Sequence, residues 1–191
     1  SIVVVTGQQA TIPIPTLMEG AAANVGNYDV ADQLFARPAD LRPTMLTSGD
    51  QGFSPGLARS WTRRDSVTRV FDLDPRARWH DGVPVTSRDV VFTFNRAKSP
   101  AIAPRLAGVL TRVSSVTAEG NHRVVFRFTQ PYSEQLYDAT FHVAPLPAHL
   151  LDSLPPEDMG RSGFVANPVG SGAYRWVRSV PGQFVELAAN Q

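Results

Sequence analysis

Residues 79–92 read Trp79-His80-Asp81-Gly82-Val83-Pro84-Val85-Thr86-Ser87-Arg88-Asp89-Val90-Val91-Phe92. Asp81-Gly82 is a strong turn signal, because Asp bonds nearby backbone and Gly reaches positive φ without a steric penalty. Pro84 holds the following chain extended. Thr86-Ser87-Arg88-Asp89 is a capping box: the Thr86 hydroxyl can accept from the Asp89 N–H, and the Asp89 carboxylate can reach back to the Thr86 N–H. Val90, Val91, Phe94 and Ala97 then form the buried stripe of a helix that Ser99-Pro100 ends. Trp79 and Phe92 are expected in the core.

Outward from this unit the chain alternates between strand and helix signals. Upstream, Ile2–Thr6 and Thr11–Ile14 read as short strands around the polar Gly7-Gln8-Gln9. A helix is expected from about Asn27, capped by Asn27 or Asp29, with Val30, Leu34 and Phe35 on one face. Arg37-Pro38 should end it, since the residue before proline avoids helical backbone. Pro55-Gly56-Leu57-Ala58 turns into a strand Arg59–Arg64, and Asp65-Ser66 reverses the chain into Val67–Leu73. There Phe71 and Leu73 share one face, and Thr68, Val70 and Asp72 the other. Downstream, Arg112–Ala118 and His122–Thr129 flank Glu119-Gly120-Asn121 as a β-hairpin, with Val124, Phe126 and Phe128 on one side. Short helices are expected around Ser133–Ala139 and Ala148–Leu154. A last hairpin, Tyr174–Val180 with Gln183–Leu187, crosses Pro181-Gly182, which suits a type II turn.

The chain has 191 residues, 42% hydrophobic and 18% charged, with a net charge of +1 and no cysteine. This length holds a sizeable core without a disulfide or metal staple, and the composition excludes intrinsic disorder. With 18 basic and 17 acidic residues no basic stripe is available to neutralise phosphates, so no nucleic-acid partner is expected. The missing cysteines exclude thiolate metal sites and cysteine nucleophiles. No apolar run is long enough to span a bilayer. Ile2–Val5 lacks the basic flank and cleavage site of a signal peptide, so Ser1 is expected to be a mature or cloned boundary.

His80, His122, His142 and His149 lack the spacing that places two imidazoles on one helical face, so no metal site is expected. Gly170-Ser171-Gly172 resembles half a nucleophile elbow but leads into a strand, and reads as a tight glycine turn. The acids Asp65, Asp72, Asp74, Asp81 and Asp89 sit at turns and caps, where they have local backbone work. No catalytic residue and no cofactor is assigned. On the residues alone this is an α+β domain.

Residues 79–92 also strongly resemble the signature of the family 5 extracellular solute-binding proteins, the oligopeptide, dipeptide and nickel receptors of ABC importers. The family pattern runs Trp-x-Asp-Gly-x-Pro-x-Thr-Ala-x-Asp-Val-x-Phe, and only the alanine differs, as Ser87. Pro55-Gly56-Leu57-Ala58-Arg59-Ser60-Trp61 is similar to the family's upstream segment, and Asn167-Pro168-Val169-Gly170-Ser171-Gly172-Ala173-Tyr174 to its Pro-Val-Gly-Thr-Gly-Pro-Tyr, with departures at Ser171 and Ala173. The signature's residues have structural duties, so the motif identifies a family without touching ligand.

The resemblance implies part of a two-lobed, type II periplasmic-binding-protein-like fold, a mixed sheet with β-hairpins and a few short helices. Residues 1–36 with 168–191 would belong to the ligand-facing lobe I. Residues 37–167 would form a family-specific buttressing subdomain, and the second lobe would lie outside this chain. It further implies a monomeric, extracytoplasmic receptor, in the periplasm or lipid-anchored at the cell surface. Such a receptor captures a peptide or other small solute and hands it to a membrane permease. The expected ligand-facing loop is Thr16–Tyr28, in which Glu19, Asn24, Asn27 and Tyr28 offer polar groups. Two other readings stay open: a secreted metal-dependent hydrolase using His80, Asp81 and His142, and a protein-interaction module built on 37–167.

Overall fold

The computed structural model describes residues 2–4, 11 and 13–190. Its strands are β1 (Ile2–Val4), β2 (Ala39–Leu41), β3 (Phe53–Pro55), β4 (Ala58–Asp65), β5 (Thr68–Leu73), β6 (Val113–Ala118), β7 (Arg123–Phe128), β8 (Tyr174–Val180) and β9 (Phe184–Ala189). The helices are α1 (Val25–Leu34), α2 (Ser87–Ala97), α3 (Pro104–Val109), α4 (Gln135–Thr140), α5 (Ala148–Leu151) and α6 (Gly163–Ala166).

The turn and helix of residues 79–97 form as read. Gly82 has φ 88°, Asp81 Oδ1 accepts from Val83 N–H at 3.1 Å, and the reciprocal capping box closes, Thr86 N–H donating to Asp89 Oδ2 at 2.7 Å. The helix is a wedge between two cores. Val90, Phe94 and Ala97 enter one, together with Phe71, Leu106, Phe126 and Leu136; Phe94 and Phe126 meet edge to face at 4.9 Å. Phe92 enters the other, with Leu34, Phe35, Trp79, Leu146, Leu151 and Leu187. Polar groups of α2 stitch the second core in place: Ala148 N–H donates to Asp89 Oδ1 at 2.9 Å, and Leu146 N–H to Thr93 Oγ1 at 2.8 Å.

Three sheets carry these cores, with strand orders β4-β5-β7-β6, β1-β9-β8 and β2-β3. In the first, β5 is interior and buries both faces, while edge strand β4 is largely exposed and carries Arg59, Arg63 and Arg64, charges that discourage edge pairing. The hairpins turn where expected, with Gly120 at φ 76° and Gly182 at φ 74°. Every pairing between described strands is antiparallel. The parallel pairs of a mixed sheet are absent among the described residues; three of the six pairings join neighbours through short hairpin turns, which allow only antiparallel geometry.

Several boundaries differ from the reading of the sequence. Helix α1 begins at Val25, because Asn24 is extended and its side chain accepts from Asn27 N–H at 3.0 Å. It ends at Leu34, before Arg37-Pro38, where Phe35 turns extended; the Leu34 carbonyl, whose helical donor would be the N–H that Pro38 lacks, accepts from Ser171 and Gly172 N–H at 2.9 and 2.7 Å. Of the expected strand Thr11–Ile14, Thr11 lies in a bend and Pro13 and Ile14 are irregular, since Pro13 and Pro15 have no N–H for a ladder. Val5–Thr6, Gly7-Gln8-Gln9 and Ile12 lie outside the described residues. The short elements β2, β3, α3 and α6 carry too few periodic residues to be read beforehand.

Candidate functional site

A cavity of about 480 Å³ opens between α1, β2, α3 and the chain after α4, within the range of small-molecule sites. Helix α1 supplies Tyr28, Ala31 and Asp32, which share a face at i, i+3 and i+4. Pro15 and Met18 come from the loop before it, Arg37, Asp40 and Leu41 from the chain into β2, and Met45 from the next turn. Arg105 and the stretch Phe141, His142 and Ala144 close the remaining sides.

Most of the charge is already balanced. Arg37 Nη2 lies 2.7 Å from Asp32 Oδ1, its Nε donates to the Phe141 carbonyl at 3.1 Å, and its guanidinium stands 5.7 Å from the Phe141 ring centroid. Burial raises the Asp40 carboxyl above its ordinary range; Arg37 opposes this and Asp32 adds to it. Tyr137 stacks on Phe141 at 4.6 Å, and His142 meets Tyr137 edge-on at 4.9 Å. His142 Nε2 lies 3.6 Å from Asp138 Oδ1, and Asp138 Oδ2 accepts from the Tyr132 hydroxyl at 2.8 Å. Tyr28, Phe141 and His142 thus give the cavity an aromatic lining, with the paired charges of Asp32 and Arg37 beside it.

Of the four residues expected to face a ligand, Tyr28 lines the cavity and Glu19, Asn24 and Asn27 do not. Asn24 caps α1. Asn27 is fully buried: its Oδ1 accepts from Thr11 N–H at 2.7 Å and its Nδ2 donates to the Ala22 carbonyl at 2.8 Å. Glu19 accepts from the N–H groups of Arg105 and Leu106, each at 3.3 Å, tying the loop to the start of α3. Asp32, Arg37, Asp40, Met45 and Phe141 line the cavity from outside the expected loop. The i, i+3, i+4 spacing from Tyr28 would have found Asp32; nothing local joins 45, 105 and 141.

The residues of the hydrolase reading go to separate partners. His80 Nδ1 accepts from Gly170 N–H at 3.1 Å, which leaves its Nε2 proton for the Gly172 carbonyl, also at 3.1 Å. Asp81 pairs with His149 at 2.7 Å, and His142 faces Asp138. Among the described residues no three His, Asp or Glu side chains group to hold a metal ion, and no helix is long and apolar enough to cross a membrane.

The three sequence motifs fall inside one match: residues 52–191 fit the bacterial extracellular solute-binding proteins, family 5 Middle. This chain belongs to that family. A Brucella ovis protein named as an ABC transporter peptide-binding protein is 35% identical over 127 residues, 66% of this chain and 24% of the relative. The peptidoglycan-binding protein YepA of Agrobacterium fabrum is 35% identical over 146 residues, 73% of this chain and 22% of the relative. The chain thus spans about a quarter of the length of these relatives. The oligopeptide-binding protein AppA of Bacillus subtilis, solved with a nonapeptide, superposes with a TM-score of 0.76 at 23% identity, covering 93% of this chain and 34% of that one. The family 5 chain therefore has part of the type II periplasmic-binding-protein fold, in an α+β arrangement.

Proposed function

We propose that this family 5 chain is part of a receptor that captures a peptide or similar solute outside the cytoplasm and delivers it to the membrane permease of an ABC importer. The observation that carries the reading is the cavity of about 480 Å³ with its aromatic lining, into which α1, helical already from Val25 where a loop to Tyr28 was expected, places Tyr28. In this reading Tyr28 faces the solute, while Glu19, Asn24 and Asn27 hold the loop that presents it. Residues 1–36 with 168–191 act as lobe I and 37–167 buttress it through α2, and the cavity lies where the two meet, lined by Tyr28, Ala31 and Asp32 of the first and by Arg37, Asp40, Arg105 and Phe141 of the second. A second lobe closes over the solute, because only the closed state makes both sets of contacts. The receptor works as a monomer that binds and releases without chemistry.

The full-length gene product should bind members of a panel of dipeptides, longer oligopeptides, sugars and nickel chelates saturably in titration calorimetry. It should also be captured by the permease encoded beside it. No binding across the panel, or turnover of a panel member by the purified protein, overturns the proposal.

A further inference from the structure

We infer that His80 is a positioning residue for solute capture: its neutral ring clasps the turn that holds the end of α1, and protonating that ring loosens the cavity face of α1 and weakens binding. This rests on the receptor reading above. Both ring nitrogens are committed to one turn. Nδ1 accepts from the Gly170 N–H at 3.1 Å, and Nε2 lies 3.1 Å from the Gly172 carbonyl oxygen. The backbone N–H of His80 also donates to the Gly170 carbonyl at 2.8 Å. Because the Gly170 N–H can only donate, Nδ1 must keep its lone pair. A proton on Nδ1 sets one N–H against another, removes that bond and adds a charge to a half-buried ring.

The clasped turn bears directly on the cavity. Ser171 and Gly172 N–H donate to the Leu34 carbonyl at 2.9 and 2.7 Å. Gly170 is wedged between that carbonyl and the ring: a Cβ there would lie 1.9 Å from the Leu34 oxygen and 3.0 Å from His80 Cε1. Leu34 is fully buried, and Asp32, Ala31 and Tyr28, just before it in α1, line the cavity. A helix passes a displacement of its end along its length, since its hydrogen bonds hold it as one body. His80 thus governs where that face stands, although it is not among the residues lining the cavity. Burial favours the neutral ring most; the Gly172 bond opposes this, Arg175 of β8 adds to it and Asp81 opposes it. Asp81 is itself held by His149 of α5 at 2.7 Å. Solute binding selects the clasped, neutral form, so affinity is full above about pH 6.5 and falls as the pH drops below it.

The test is titration calorimetry of the full-length gene product with trialanine at pH 7.5 and pH 5.5. Wild-type affinity should fall roughly fivefold or more between the two, with protons released on binding near pH 6. In His80→Gln the amide can accept from Gly170 and donate to Gly172 at either pH. This variant should bind within about threefold of wild type at pH 7.5 and lose less than about twofold at pH 5.5. His142 lines the cavity itself; a fall of equal size in both proteins belongs to such a direct contact and overturns the inference, leaving the receptor reading standing. Hydrogen exchange in solute-free wild type decides the matter even where the variant does not fold. After correction for intrinsic rates, protection of the Ser171 and Gly172 N–H groups should drop severalfold at pH 5.5. Unchanged protection there, or an affinity independent of pH, also overturns the inference. If wild type does not bind trialanine at pH 7.5 the inference falls, and the receptor reading falls with it only if the broader solute panel fails too.

Discussion

At the scale of single residues, buried polar groups with several partners carry the most weight. Asp89 is 4% exposed and accepts from Thr86 N–H and Ala148 N–H. Asp89→Ala strands both donors and should destabilise the protein by about 3 kcal/mol in urea denaturation. The Arg88–Asp152 pair next to it, 2.6 Å apart but 68% and 48% exposed, is solvated, and Arg88→Ala should cost less than about 0.5 kcal/mol. Equal losses in the two variants would refute this ranking. His80 adds a pH dependence. Burial lowers its pKa most; Arg175 adds to this, while the Gly172 bond and Asp81 oppose it. The unfolded chain then takes up the proton first as the pH falls through about 6.5, so the stabilisation is complete above that pH and is lost below it. Between pH 7.5 and pH 5 the urea midpoint of wild type should fall more steeply than that of His80→Gln. Parallel slopes would show that the ring is not the source.

At the scale of elements, the join between α1 and β8 depends on the absence of two side chains. A Cβ on Gly170 would lie 1.9 Å from the Leu34 carbonyl oxygen, and one on Gly172 would lie 2.4 Å from that of Gln33. Gly170→Ala should therefore lower stability by about 3 kcal/mol or more, through backbone that cannot move aside. Gly108, inside α3, has nothing within 4 Å of a built Cβ. Gly108→Ala should stabilise by about 0.5–1 kcal/mol through helix propensity. Thermal melts of the pair check both signs. The motif at 167–174 was legible as a glycine turn, but its role in satisfying the last carbonyl of α1 was not, because the Leu34 carbonyl and the Ser171 N–H are far apart in sequence.

At the scale of the whole molecule, one helix serves two cores, so residues 1–36 with 168–191 and residues 37–167 are not independent. Leu57, Trp79, Val85 and Phe92, all within 37–167, pack into the core that also holds Leu34 and Leu187. The proposed cavity is open on this chain, and a solute in it keeps part of its surface in water. The 191-residue chain alone is expected to bind a peptide ligand of the intact gene product at least roughly hundredfold more weakly, about 2.7 kcal/mol of enclosure. Parallel titrations measure this directly. Equal affinities would remove the second lobe from the binding mechanism.

What the sequence determined by itself is the local unit at 79–97, the turns at Asp65-Ser66, Gly120 and Gly182, and the family membership those segments signal. Each depends on residues within a few positions of one another, whose turn chemistry, capping and periodicity act before any long-range contact forms. Tertiary structure alone decided the rest. Asn27 is a buried tie across residues 11, 22 and 27, and His80 clasps a turn ninety residues away. The cavity joins positions 28, 45, 105 and 141. These contacts exist only once two cores have condensed around α2, and no local pattern encodes which distant backbone groups a polar side chain will meet.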